Sequence, residues 1–287
     1  MNIRHYTVSS PTVNSLGKEW IKCWYGLYRL KECMSGEVLR KFGAEQDEAH
    51  KLGYLGEKEL EVDIFLSILS NIKTPSATFM ELGAGYGEWC LAFNGVIRNK
   101  IIDMIVDNVE CFAVEAEPKH IAWIRRHFEH WGIEGKVIPL AISERNGHCR
   151  FAIVDDPATN YDQGVTYSDV FVRTANNILR RKSITTYSIK LDSLVKAHRI
   201  SKIDLIDMDV QGNEVRVVKG GMESIKEGII DYWKIGTHRR KHNDRLREML
   251  SPYYDLIIDV YPKSIGGVDG LLAKVDDGIQ VYKRKGL

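Results

Sequence analysis

Residues 78–89 read TFMELGAGYGEW, a short apolar run that meets three closely spaced glycines and then turns apolar again. A run of that length before a glycine cluster predicts a buried strand, and the residues after it start a helix. Glycine permits positive φ and lets a ligand lie against the backbone. The spacing is GxGxG, not the GxGxxG of a dinucleotide fingerprint, and Glu81 stands two positions before the first glycine. A carboxylate beside a phosphate site would repel its ligand, whereas it can accept a hydrogen bond from an ammonium group. The pattern therefore suits a cationic, phosphate-free nucleoside, S-adenosylmethionine, with its amino acid end near Glu81, Gly83, Ala84, Gly85, Tyr86 and Gly87.

Outward from this junction, apolar runs alternate with helical patterns. Strands are expected at ECFAVEA (110–116), KVIPLAIS (136–143), IDLIDMDV (203–210), IIDYWKIGTH (229–238), YDLIIDVY (254–261) and GIQVYKRK (278–285), with CRFAIV (149–154) as a side hairpin or edge strand. Between them lie helical stretches such as HIAWIRRHFEHWG, NEVRVVKGGMESI and RLREMLSPY, and one precedes them in EKELEVDIFLSILSN. Alternation of this kind predicts parallel β-α-β units in a three-layer α/β/α, Rossmann-like sandwich with its crevice at the strands' carboxyl ends. Residues 1–55 carry Trp20, Ile21, Trp24, Leu27, Tyr28 and Leu30 at helix-like spacings. They read as an N-terminal helical cap on a main domain of residues 56–287, with Trp20, Trp24 and Tyr28 in the core of the cap.

The chain has 287 residues, with 40 Lys and Arg against 39 Asp and Glu. That is one large domain with an appendage. The near balance of charge disfavours a nucleic-acid coat, which needs a strong cationic surplus. No run has the ~18 consecutive apolar residues of a membrane span, and the first residues lack a signal peptide's apolar core. Five scattered cysteines without a CxxC pair suit reduced, buried thiols and a cytoplasmic protein.

Glu115 closes the second strand, where a carboxylate can accept hydrogen bonds from both ribose hydroxyls, with Ala116 beside it and Glu117 as the fallback. Its distance from Gly83 exceeds the ~20 residues of a dinucleotide unit, and the excess falls in NGVIRNKIIDMIVDNVE (94–110). Ala141, Ile142 and Ser143, at the end of the third strand, are placed to flank adenine.

These segments resemble the FkbM-type family of S-adenosylmethionine-dependent methyltransferases. ELGAGYGEW, AVEAEPKHIAWIRRHF, PLAISERNG, YSIKLDSLV and IDLIDMDVQGNEVRVVKGG carry the similarity, in order, over roughly residues 56–260. Asp192, Asp209, Val210, Gln211, Gly212 and Glu214 match the family's block around the fourth strand, while Asp207 replaces its usual lysine. A subgroup is similar through Glu115, Glu117, Pro118, Tyr161, Gln163 and Gly236-Thr237-His238. The resemblance implies a class I methyltransferase fold, a seven-stranded sheet with an antiparallel last strand. It also implies O-methylation of sugar, glycan or secondary-metabolite hydroxyls.

Methyl transfer is an in-line displacement assisted by removal of the hydroxyl proton. Asp207 and Asp209 point to opposite faces of their strand, and Asp209, the residue of the family block, is the one expected in the crevice. His238 ends the fifth strand and is expected as the base, its ordinary pKa of ~6.5 suiting neutral pH. The other arrangement holds magnesium or manganese on Asp209 and His238 with Glu214 or Asp207. Asn160, Tyr161, Gln163, Gln211 and Glu214 are candidates to touch the acceptor, and Arg239, Arg240 and Lys241 to grip an anionic one. The partner expected is a small-molecule or glycan acceptor, and a homo-oligomer is compatible with the sequence. Nucleic-acid methylation and a non-catalytic partner protein are the alternatives, the first disfavoured by the absence of an NPPY-like tetrad.

Overall fold

A computed structural model describes residues 12–15, 18–23, 25, 27–33, 57–153, 165–166, 183–268 and 271–287. The expected site residues Asn160, Tyr161 and Gln163, and Trp24 of the cap, lie outside them. The N-terminal stretch differs from its expectation. β1 (Thr12–Ser15), β2 (Lys18–Lys22) and β3 (Tyr28–Leu30) form an antiparallel meander, followed by a 3-10 turn at Lys31–Cys33. Apolar residues three and four apart suggested helices here. Gly17 and Gly26 divide the stretch into short runs of hairpin length, however, and that punctuation prevails over the helical spacing.

The main domain starts with α1 (Glu57–Asn71), β4 (Ser76–Leu82), α2 (Glu88–Asn99), β5 (Asn108–Val114), α3 (Pro118–Trp131) and β6 (Gly135–Ile138). It continues with β7 (Ala141–Ser143), β8 (Gly147–Ala152), β9 (Val165–Thr166), β10 (Ser183–Lys190), α4 (Leu191–His198), β11 (Ile203–Met208), α5 (Glu214–Gly220) and α6 (Met222–Lys226). β12 (Ile230–Thr237), α7 (Arg240–Leu250), β13 (Tyr254–Val260), β14 (Ser264–Val268), β15 (Leu271–Val275) and β16 (Gly278–Arg284) complete it.

Seven strands form the central sheet in the order β13-β16-β12-β11-β4-β5-β6. All the pairings among β12, β11, β4, β5 and β6 are parallel, and β16 runs antiparallel to both of its neighbours. This is the Rossmann-like class I sandwich with a reversed last strand. Successive residues of a strand face opposite layers. Phe79, Leu205 and Tyr232 pack into the core shared with α1, α2 and α3, and Met80, Ile206 and Trp233 into the core shared with α4 to α7. Among the described residues no helix is long and apolar enough to cross a membrane.

Two expected elements are divided. KVIPLAIS becomes β6 and β7 in different sheets, because Pro139 has no N–H for a ladder and Leu140 N–H bonds back to Ile138 O across it at 2.9 Å. β7 then enters a side sheet ordered β7-β10-β8-β9, which contains the expected side strand. The helix at 213–225 is split into α5 and α6 at Gly220-Gly221. A Cβ at Gly220 would stand 2.3 Å from Ser143 O, and one at Gly221 2.7 Å from Leu191 Cδ2. The two glycines thus let this helical layer close on β7 and α4.

Candidate active site

Three loops meet at the carboxyl ends of β4, β5 and β11. Gly83 and Ala84 donate their N–H groups to Val114 O at 3.0 and 3.1 Å, joining the first loop to β5. Gly83 has φ +76°, and a Cβ on it would lie 1.9 Å from Asp209 O. Only glycine allows that approach between the first loop and the one after β11. Gly85, at φ +54°, donates its N–H to Glu115 Oε2 at 2.7 Å.

Glu81 does a different job from the one expected. Its Oε1 accepts from Trp89 N at 3.1 Å and its Oε2 from Cys90 N at 2.9 Å. Both oxygens therefore serve the first turn of α2, where main-chain N–H groups otherwise lack partners. Burial pushes its carboxyl up to about 8, and it stands outside the walls of the adjoining cleft. Tyr86 also turns away, its ring packed 6.1 Å from that of His127 and its carbonyl accepting from His127 Nδ1 at 2.8 Å.

The cleft between the loops encloses about 590 Å³, its open mouth included. Gly83, Gly85, Glu115 and Ala116 contribute from the first two loops, and Asp209, Val210 and Gln211 from the third. Leu140, Ala141, Ile142 and Phe151 supply an apolar wall. Ser143 is fully buried away from it. Ala84 and Gly87 shape the first loop without facing the cleft. Glu117 accepts from His120 N at 2.7 Å as the N-cap of α3 and stands outside the cleft wall.

Several lining residues escaped the sequence reading, Phe151 and His120 among them, with Val114, Leu140 and Asn213. Phe151 arrives through the side sheet, whose course after Pro139 no local pattern disclosed. His120 sits two residues after Pro118 on a helix already counted as amphipathic, so its place in the sequence looked like packing.

A network of charged groups stands behind Asp209. Glu214 is completely buried; its Oε1 pairs with His238 Nδ1 and its Oε2 with His242 Nδ1, each at 2.8 Å, and Gly212 N–H donates to Oε1 at 2.7 Å. Burial alone would raise the Glu214 carboxyl, but the bonds from His238 and His242 prevail and hold it near 2. His238 Nε2 lies 3.4 Å from Asp209 Oδ1 and 3.7 Å from Asp277 Oδ2. Burial would lower the His238 pKa, yet the Glu214 bond and the charges of Asp209, Glu214 and Asp277 raise it to about 9. An imidazole held protonated at neutral pH does not accept a proton there, contrary to the role expected for His238. Gln211 Nε2 donates to Asp209 Oδ1 at 3.0 Å from a backbone with φ +50°.

The metal arrangement does not fit these residues. Glu214 spends both oxygens on histidine nitrogens and Asp207 is bound to Lys234 Nζ at 2.8 Å. Among the described residues no group of three or more His, Cys, Asp or Glu is arranged to hold a metal ion. Glu214 is likewise no acceptor contact. Arg239 and Arg240 are exposed outside the cleft walls, the Arg240 guanidinium lying 4.4 Å from the centre of the Tyr261 ring.

A family model described as the methyltransferase FkbM domain matches residues 82–252. A protein of Jannaschia sp. (strain CCS1), itself assigned as a methyltransferase, is 28% identical over 182 residues. The match spans 61% of this chain and 61% of the length of that relative. Among solved structures, the precorrin-6y C5,15-methyltransferase of Geobacter metallireducens GS-15 is 8% identical with a TM-score of 0.39, covering 78% of this chain and 88% of that one. An rRNA methylase of Streptococcus thermophilus is 7% identical with a TM-score of 0.42, covering 78% and 95%.

Proposed function

The chain belongs to the family of proteins with a methyltransferase FkbM domain, and on that premise we propose that it moves the methyl group of S-adenosylmethionine onto a hydroxyl of a sugar, glycan or secondary metabolite. One observation carries the proposal: Gly83, Gly85, Glu115 and Asp209 stand in the wall of a single cleft. Two carboxylates there repel a diphosphate and attract a ligand of positive charge. The Gly85 N–H is committed to Glu115 and not presented to a phosphate. Leu140, Ala141, Ile142 and Phe151 offer a flat base an apolar surface. When bound, S-adenosylmethionine supplies a methyl group on a sulfonium, the electrophile of the reaction.

The remaining work falls to the chain. The acceptor hydroxyl would give its proton to Asp209, the only titratable side chain from the loop after β11 that lines the cleft among the described residues, as its oxygen took the methyl group and the carbon–sulfur bond broke to release S-adenosylhomocysteine. Asp209 is 55% exposed, so the proton can continue to water. His238 is a positioning residue in this scheme. Its cationic ring, fixed by Glu214, holds Asp209 Oδ1 from one side while Gln211 holds the same oxygen from another.

Incubation with methyl-labelled S-adenosylmethionine and a panel of sugar nucleotides, polysaccharides and hydroxylated metabolites tests the reading. A labelled product that survives mild alkali and whose methyl group is placed on oxygen by NMR is an ether and supports it. An alkali-labile ester or a methylated amine as the product overturns the hydroxyl assignment.

A further inference from the structure

Glu115 has less to offer a ribose than its position suggests. Its Oε1 accepts the N–H groups of Ala116 at 2.6 Å and Glu117 at 2.8 Å, and its Oε2 that of Gly85 at 2.7 Å. An ionised carboxylate has about four acceptor positions, two on each oxygen. The main chain fills three of them and leaves one, on Oε2. A ribose brings two hydroxyl protons. Glu115 can take one, and the other would enter the cleft without a partner, which costs more than a hydrogen bond gains.

The side chain beside the remaining position is His120. Its Nδ1 lies 3.8 Å from Glu115 Oε2, its residue is 3% exposed, and it forms part of the cleft wall. Its backbone is fixed by the Glu117 cap, and its ring packs on Trp123 with centroids 5.3 Å apart. A separation of 3.8 Å exceeds a direct hydrogen bond. It instead sets the two groups side by side, so that each can meet one of two neighbouring hydroxyls. An imidazole nitrogen can accept or donate, so it can serve a hydroxyl in either sense.

We propose that His120 takes the second ribose hydroxyl of the cofactor, so that His120 and Glu115 share a diol that Glu115 alone cannot hold. His120 is then a specificity-determining residue for the nucleoside, an inference that rests on the cleft being the S-adenosylmethionine site.

Calorimetric titration of the full chain with S-adenosylhomocysteine and with its 2′-deoxy and 3′-deoxy forms tests it. In the unmodified protein, removal of either hydroxyl should weaken binding, by about tenfold for the one held by His120 and by about tenfold or more for the one held by the ionised Glu115. In His120→Phe, which keeps a ring against Trp123, the parent nucleoside should bind about tenfold more weakly. One deoxy form should then bind as well as the parent, while the other keeps its whole penalty, and His120→Gln should recover part of the loss. The inference fails if the unmodified protein tolerates removal of one hydroxyl without loss, or if both penalties persist undiminished in His120→Phe. If that variant does not fold, the unmodified protein still puts the inference at risk, since tolerance of either deoxy form overturns it. Should the unmodified protein bind none of the three nucleosides, the reading of the cleft falls as well; binding with undiminished penalties removes His120 alone.

Discussion

Gly83 tolerates little change. Its φ of +76° costs an L-residue roughly 1–2 kcal/mol by itself, and a methyl group would also collide with Asp209 O at 1.9 Å. Gly83→Ala should therefore separate the loops after β4 and β11 and weaken nucleoside binding by at least about a hundredfold; binding within a few-fold of the unmodified protein would refute the close approach. Glu214 makes a subtler prediction. It is the partner that raises His238, so Glu214→Gln should bring the His238 pKa from about 9 toward the ordinary ~6.5. Ring-proton resonances of His238 followed against pH would register that shift, and turnover should lose its alkaline limb near 9 and fall away closer to neutrality. An unmoved titration would show that Glu214 does not govern His238. Glu115 and Asp209 were legible in the sequence because each ends a strand beside a recognisable turn. The task of Glu214 was not, since its two histidine partners lie 24 and 28 residues away, one just after β12 and the other on α7.

At the level of elements, the pair between β11 and β12 shows what strand register adds. Asp207 occupies the position where the resembling family has lysine, and Lys234 is directly opposite it on β12, with Nζ 2.8 Å from Oδ1. Lys234 also lies 4.2 Å from the centre of the Trp89 ring and 3.5 Å from Glu61 of α1, joining two strands to two helices. Both members are nearly inaccessible, and burial pushes the Asp207 carboxyl up to about 6 despite the ammonium beside it. Lys234→Met should cost about 3–5 kcal/mol, because it strands a buried carboxylate. Adding Asp207→Leu should recover much of that loss in urea unfolding. Additive losses would mean that the two charges do not act on each other. The strand-to-helix succession was readable because β4, β5 and β11 are buried on both faces and appear as continuous apolar runs. In sequence the N-terminal meander resembles a helix because its apolar residues recur three and four positions apart. Pro139 was visible, but its consequence, a strand passing from one sheet to another, depends on β10, which comes much later in the chain.

Across the whole molecule, two histidines tie remote parts together with opposite dependence on pH. His127 Nδ1 donates to Tyr86 O, and its Nε2 accepts from Leu30 N at 2.9 Å, linking the N-terminal meander to the glycine loop through α3. Burial lowers its pKa to about 4. Below ~6.5 the unfolded chain binds a proton that the folded one refuses, so this contribution is complete above ~6.5 and is lost as pH falls toward 4. His238, raised to about 9, contributes in full below ~6.5 and loses that contribution as pH rises through 9. The urea midpoint should decline on both sides of neutrality, and His127→Gln should flatten the acid side alone; an acid limb identical in the two proteins would refute a neutral His127. The account as a whole depends on the occupant of the cleft at the ends of β4, β5 and β11. Calorimetric titration with S-adenosylmethionine and, separately, with NAD asks about it directly. One S-adenosylmethionine per chain, lost in Glu115→Ala, with no heat from NAD, is the predicted result; heat from NAD and none from S-adenosylmethionine would contradict it.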